Sequence, residues 1–184
     1  MFTSPLVLKA FEFSARKHSG QTRRGSGAAY VSHPLAVSYL VAAYKRSKHL
    51  DELLCAALLH DVLEDTDTTF TELAQEFTPL VASLVQELTN DAAEVARVGK
   101  QAYQLKKMSG MSSYGLVLKL ADRLHNISDH PSEKMVQDTL ALLRELKVQR
   151  KLSPSQLELV QAIEQACERV LQNTEPCQAL LNAL

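Results

Sequence analysis

The sequence predicts an all-α fold of about eight to ten helices, on three observations. Apolar residues recur at spacings of three and four along almost every stretch. No segment alternates apolar and polar residues for more than a few positions. Proline and small clusters of Ser, Thr and Asp stand where helices would open. The chain's 184 residues suit one domain, 1–184, with no need of a disulfide or metal merely to fold.

Taken in order, Phe2 to Lys17 carries Leu6, Ala10, Phe13 and Lys17 along one side, with Pro5 as an opener. The Gly- and Ser-containing stretch from Ser19 to Gly27 is the clearest loop, and it holds Arg23 and Arg24. His33-Pro34 starts a helix through Leu35, Val37, Leu40, Val41 and Tyr44. Asp51 is the expected N-cap of an apolar helix ending in Leu58-Leu59-His60-Asp61. Thr69 and Glu72 form a capping box for a short helix through Phe77, and Thr78-Pro79 opens another to about Thr89.

Asp91 to Met108 reads as one more polar helix closed by Ser109-Gly110, and Ser112/Ser113 opens a helix from Gly115 to Asn126. Pro131 and Pro154 sit near the starts of two long helices, and Pro176 is expected to open a last turn or two. The C-terminal helices, 151–184, carry Leu157, Val160, Ile163, Val170 and Leu171 on faces expected to pack on the domain.

Composition narrows the function classes. With 20 Lys+Arg against 21 Asp+Glu, a net charge of -1 argues against a generic nucleic-acid coat, and no Trp with 5% aromatics leaves little for a base-stacking platform. The longest apolar run, Leu53 to Leu59, is far short of the ~20 residues that span a bilayer. Cys55, Cys167 and Cys177 form no C-x-x-C and no even set, as expected of reduced thiols. The chain therefore reads as soluble and cytoplasmic, with no nucleic-acid or membrane partner and a homo-oligomer left open.

Chemistry concentrates in the histidines and carboxylates. His60-Asp61 ends an apolar helix, where two polar residues gain nothing by burial unless they are paired or bind something. Glu64-Asp65 follows four residues later, about one helical turn on. In the helix from Gly115, Lys119, Asp122, Asn126 and Asp129 share one stripe while Leu116, Leu120, Leu124 and Ile127 share another. Together, His33, His60, Asp61 and Asp122 make a nitrogen and oxygen donor set suited to a divalent first-row metal, without choosing among Mn²⁺, Fe²⁺ and Zn²⁺.

The order His33, then His60-Asp61, then Asp122 resembles the HD-type metal-dependent phosphohydrolases. The surrounding words are narrower: Gly20-Gln21-Thr22-Arg23-Arg24, Tyr30-Val31-Ser32-His33-Pro34, Ala57-Leu58-Leu59-His60-Asp61-Val62-Leu63-Glu64-Asp65-Thr66 and Leu118-Lys119-Leu120-Ala121-Asp122-Arg123-Leu124-His125-Asn126. These are similar to the hydrolase domain of RelA/SpoT homologues, over about residues 5 to 150. The resemblance implies a compact HD-domain fold and removal of the 3′-pyrophosphate from the alarmone (p)ppGpp. With no room for a synthetase domain, the chain looks like a stand-alone small alarmone hydrolase.

Carried over residue by residue, the resemblance implies that His33, His60, Asp61 and Asp122 bind Mn²⁺, and that Glu64 and Asp65 act in water activation and catalysis. Arg23 and Arg24 sit beside the nucleotide, Asn126 contacts it, Arg97 and Lys100 meet the 5′-phosphates, and Tyr30 is a sugar or base contact. Arg123 and His125 turn away from the Asp122 stripe and read as structural or surface residues. Two departures, Ala29 in place of a common Pro and Ser128 in place of a common Arg, lie near the expected base pocket. They leave the purine open, so (p)ppApp stands beside (p)ppGpp as substrate. The other readings are an HD phosphohydrolase of another nucleotide and a non-catalytic nucleotide-binding module, the latter disfavoured by the intact acidic pair.

Overall fold

A computed structural model describes residues 4–181 of the chain, with side chains as far as 172. Among these residues the secondary structure is helical throughout: α1 (Pro5–Lys17), α2 (Ser32–Tyr44), α3 (Leu50–Leu59), α4 (Val62–Asp65), α5 (Phe70–Glu76), α6 (Pro79–Leu88), α7 (Ala92–Val98), α8 (Lys100–Gly110), α9 (Ser113–Ser128), α10 (Glu133–Gln149) and α11 (Pro154–Leu181). The β-type pairing is one isolated bridge, Thr22 to Ala29, which closes the loop after α1. No described helix is long and apolar enough to cross a membrane.

The all-α expectation holds, and the helix starts follow their side chains. Ser112 accepts from the N–H of Gly115, Thr78 from Val81 and Thr69 from Glu72, each satisfying an orphan donor of a first turn. The box at Thr69 is only half made, because the Glu72 carboxylate reaches Lys17 instead. Asp51 is not a cap: the cap position is His49, two residues earlier, which places Asp51 in the first turn with Glu52, where acids complement the helix dipole.

The expected single helix over Asp91 to Met108 is two. Gly99 adopts φ 85°, a left-handed conformation that favours glycine, and it separates α7 from α8. At the other end, α11 runs through Pro176 rather than restarting there. Cys177 lies outside the described side chains, while Cys55 and Cys167 are free and buried.

The centre of the molecule is α3, packed by α1, α2, α6 and α9. Leu53 and every residue from Cys55 to Leu59 are buried, as expected of a helix apolar all round. Leu159, Val160 and Ile163 of α11 are buried as well, with α11 lying along α9, whereas Leu157 is exposed and does not join that face. The packing brings three points together: the start of α2, the end of α3 and the middle of α9.

Candidate active site

His33 enters on the first turn of α2, His60 caps the end of α3, and Asp122 projects from α9; all three are buried. One donor atom from each lies within 4.8 Å of the others. The Nε2 atoms of His33 and His60 are 3.2 Å apart, and Asp122 Oδ1 stands 3.3 Å from the first and 3.8 Å from the second. Asp61 flanks this group, its Oδ2 3.0 Å from His60 Nε2 and 3.6 Å from His33 Nε2.

The outer ring nitrogens are fixed. His60 Nδ1–H donates to the Ala57 carbonyl (2.8 Å), which leaves the Nε2 lone pair facing the cluster. His33 Nδ1 meets His125 Nδ1 at 2.9 Å, a contact satisfied when His33 donates. Burial and the neighbouring His33 and Arg23 push His125 down to about 4, so its ring is neutral. Two ring nitrogens and the Asp122 carboxylate thus face one point with Asp61 at its flank, an arrangement that fits a divalent cation held by imidazole and carboxylate donors.

The electrostatics agree. Burial opposes a charged His60, but the Asp61 and Asp122 carboxylates outweigh it and raise the ring to about 10. Asp61 is lowered to about 2, since the His60 ring overrides its burial. Asp122, wholly enclosed, is also held well below the usual carboxylate range, by Lys119 and the two rings. The protein keeps these carboxylates ionised in its interior, which is costly without a cation to receive them.

Beside the cluster opens a cleft of about 740 Å³, lined by Arg23, Arg24, Tyr30, Asp65, Lys100 and Asn126 among others. That is the size of a small-molecule site. Arg23 is braced by Asp129 Oδ2 on Nε and Asn126 Oδ1 on Nη2, both at 2.9 Å. Arg24 and Lys100 line the cleft and have no salt bridge among the described residues, Lys100 standing near Asp138.

With this geometry in hand, residues 10–146 match the HD domain family. The chain belongs to the HD domain family. A guanosine-3′,5′-bis(diphosphate) 3′-pyrophosphohydrolase of Spiroplasma citri is 39% identical over 126 residues, 66% of this chain but only 16% of that protein. The enzymes of that name called MESH1 from Danio rerio and Homo sapiens are 34% and 36% identical, over 69% and 67% of this chain and 70% and 68% of theirs. The chain therefore also belongs to the MESH1-type family. A solved structure described as a metazoan ortholog of SpoT that hydrolyzes ppGpp superposes with a TM-score of 0.73 at 27% identity, covering 90% of this chain and 97% of the other.

Within this HD domain, several residues lie elsewhere than their motif positions suggested. Arg97 is taken up by Glu94 through two hydrogen bonds on the exposed side of α7, and only Lys100 of the pair lines the cleft. The Tyr30 hydroxyl is engaged by acids, at 2.6 Å from Asp61 Oδ2 and 3.0 Å from Asp65 Oδ2. Burial and these two carboxylates push the phenol well above its ordinary value, so it remains a donor. Asn126 is clamped, its Nδ2 donating to Asp122 Oδ1 at 2.6 Å while its oxygen holds Arg23.

Glu64 leans to the turn after α6, where both its oxygens accept from Asn90. Ser128 bonds back to the Leu124 carbonyl and lines a separate groove with Tyr39 and Arg169, away from the cleft. His125, expected to turn away, instead touches His33. Arg123 does point aside, towards Thr139. Lys119 and His18 also matter locally, the first as the buried partner of Asp122 and the second stacked on Tyr30 at 4.7 Å.

Proposed function

We propose that this chain is a metal-dependent hydrolase that removes the 3′-pyrophosphate from a purine alarmone, (p)ppGpp or (p)ppApp. The products are pyrophosphate and the nucleoside 5′-di- or triphosphate. One observation carries the reading: a buried His33/His60/Asp122 donor cluster borders, through Asn126 bonded to Asp122, a cleft that bears Arg24, Lys100 and the acid Asp65. The names of the relatives support the guanosine alarmone, ppGpp, as substrate.

His33, His60, Asp61 and Asp122 would hold the ion, with Mn²⁺ as the assignment. A bound divalent ion supplies Lewis acidity towards the 3′-phosphate and lowers the pKa of water. The chain's own residues do the rest. Glu64 takes the proton from the attacking water, and Asp65, held by Tyr30, faces the cleft as the second acid. Water adds to the phosphorus next to the ribose, the bond to the 3′-oxygen breaks, and that oxygen leaves with a proton as the ribose hydroxyl. Arg23 presents a braced guanidinium to the nucleotide, while Arg24 and Lys100 meet its 5′-phosphates.

The substrate is a small cytoplasmic nucleotide in this reading, and no nucleic acid or membrane takes part. Product analysis with ppGpp and ppApp in separate incubations, each with Mn²⁺ and with chelator, tests it. Pyrophosphate release that chelation abolishes is the expected result, and the more rapidly consumed nucleotide names the purine. No release from either, with metal bound, would overturn it.

A further inference from the structure

Glu64 sits on α4, a single turn of four residues, and its side chain is exposed. A carboxylate on so short an element is not fixed by its own backbone. Its only hydrogen-bond partner among the described residues is Asn90: one oxygen accepts from the Asn90 backbone N–H, the other from Asn90 Nδ2 at 3.3 Å. An ionised carboxylate offers about four lone-pair directions, so these two bonds orient the group and leave others for a proton.

Asn90 is itself held from behind. Its Oδ1 accepts from Gln104 Nε2 at 3.1 Å and from Lys107 Nζ at 3.3 Å. An ammonium has donors only, so Lys107 requires the amide oxygen on its side and thereby turns the amide NH₂ towards Glu64. Lys107 is anchored in turn on the Leu88 and Thr89 carbonyls at the end of α6, where a cation suits the helix terminus. The Tyr103 hydroxyl accepts from the next N–H, that of Asp91, at 2.8 Å. Gln104 and Tyr103 are buried, so the turn carrying Asn90 is fastened to α8 from three side chains.

We infer that Asn90 is a positioning residue for Glu64, its amide set by Lys107 and Gln104 so that the carboxylate is held in one orientation. The inference rests on the reading of Glu64 as the base, and it gives α8, which already carries Lys100 to the cleft, a second part in the site through Gln104 and Lys107.

A double-mutant cycle tests it. Asn90→Ala removes the side-chain bond and keeps the backbone one, so kcat on the alarmone falls roughly tenfold, as for one charge-assisted bond, with KM and metal stoichiometry unchanged. In a Glu64→Gln background the same substitution changes nothing further. Equal losses in both backgrounds, or a loss expressed in KM, would overturn the inference. Gln104→Leu loosens Asn90 from behind and gives a smaller kcat loss with the same dependence on Glu64, which covers an Asn90 variant that fails to fold.

An amide spectrum separates this inference from the functional reading. The Asn90 backbone N–H resonance moves when Glu64 is replaced in Glu64→Ala, because the carboxylate it donates to is gone. An Asn90 amide indifferent to Glu64 sinks the contact whatever the activity. A wild-type chain inactive on the alarmone, with the amide response intact, sinks the catalytic role together with the reading it rests on.

Discussion

The Nε2 atoms of His33 and His60 face each other at 3.2 Å, each ring turned by a partner on its other nitrogen, Ala57 carbonyl for His60 and His125 for His33. With Nδ1–H donated outward on both rings two Nε2 lone pairs would meet, so without a metal one Nε2 carries a proton. The Asp61 and Asp122 carboxylates favour that proton and raise His60 to about 10.

Metal uptake is therefore linked to pH. A ligating imidazole must be neutral, so binding a divalent ion expels the proton that the metal-free cluster keeps. Since His60 holds it up to about 10, apparent affinity rises as pH rises, about tenfold per pH unit across the neutral range, and levels off only near that value. Titration calorimetry in buffers of different ionisation enthalpy checks this by counting protons. Zero proton release at neutral pH would refute it.

His125→Phe keeps a ring against His33 and deletes the nitrogen that fixes the His33 tautomer. Loss of such an outer partner lowers metal affinity by roughly 10- to 100-fold. Helix content stays near wild type, while the melting temperature without metal falls modestly because the buried His33 Nδ1–H loses its acceptor. A metal titration beside a thermal melt separates the two effects.

His125 also shows where the sequence stops being legible. Periodicity along one helix places Asp122 and Asn126 on a common stripe, and that stripe does face the site. Spacing within α9 cannot show that α2 crosses close enough for His33 to reach around to His125, because that distance is set by packing between helices. The same applies to Asn90, an unremarked residue in a turn until α8 is folded against it. Arg97 lies on Glu94, three residues earlier on α7, a partner that spacing along the helix makes available before any cleft is formed. The helices and the burial of His60 beside Asp61 were readable because a Leu-rich α3 that ends in His60-Asp61 violates its own apolar pattern, and such a violation is local to the sequence.

Asp122→Ala removes more than a ligand. Lys119, with a side chain only 12% exposed, has its Nζ 3.0 Å from Asp122 Oδ2 and would be left as an uncompensated buried charge. Breaking a buried pair from one side destabilises by roughly 3–5 kcal/mol. Asp122→Ala therefore loses metal, activity and stability together, whereas Lys119→Met with Asp122→Ala recovers stability and still binds no metal. Denaturant melts of the single and double variants check the first point, and metal analysis the second.

Arg23→Lys tests whether the braced guanidinium serves the nucleotide. Arg23 uses Nε on Asp129 and Nη2 on Asn126, a fork that a lysine cannot reproduce because its charge sits on one rotatable group. The loop that carries it is closed by the Thr22–Ala29 bridge and turns at Gly27, whose φ of 70° again favours glycine, so the backbone keeps its place when the side chain changes. The loss then falls on substrate alignment. KM for the alarmone rises roughly tenfold, the worth of one charge-assisted bond, while metal affinity is unchanged because no cluster ligand is touched. Steady-state kinetics with a parallel metal titration decides it: an unaltered KM would remove Arg23 from the binding site and leave Arg24 and Lys100 as the cations that meet substrate.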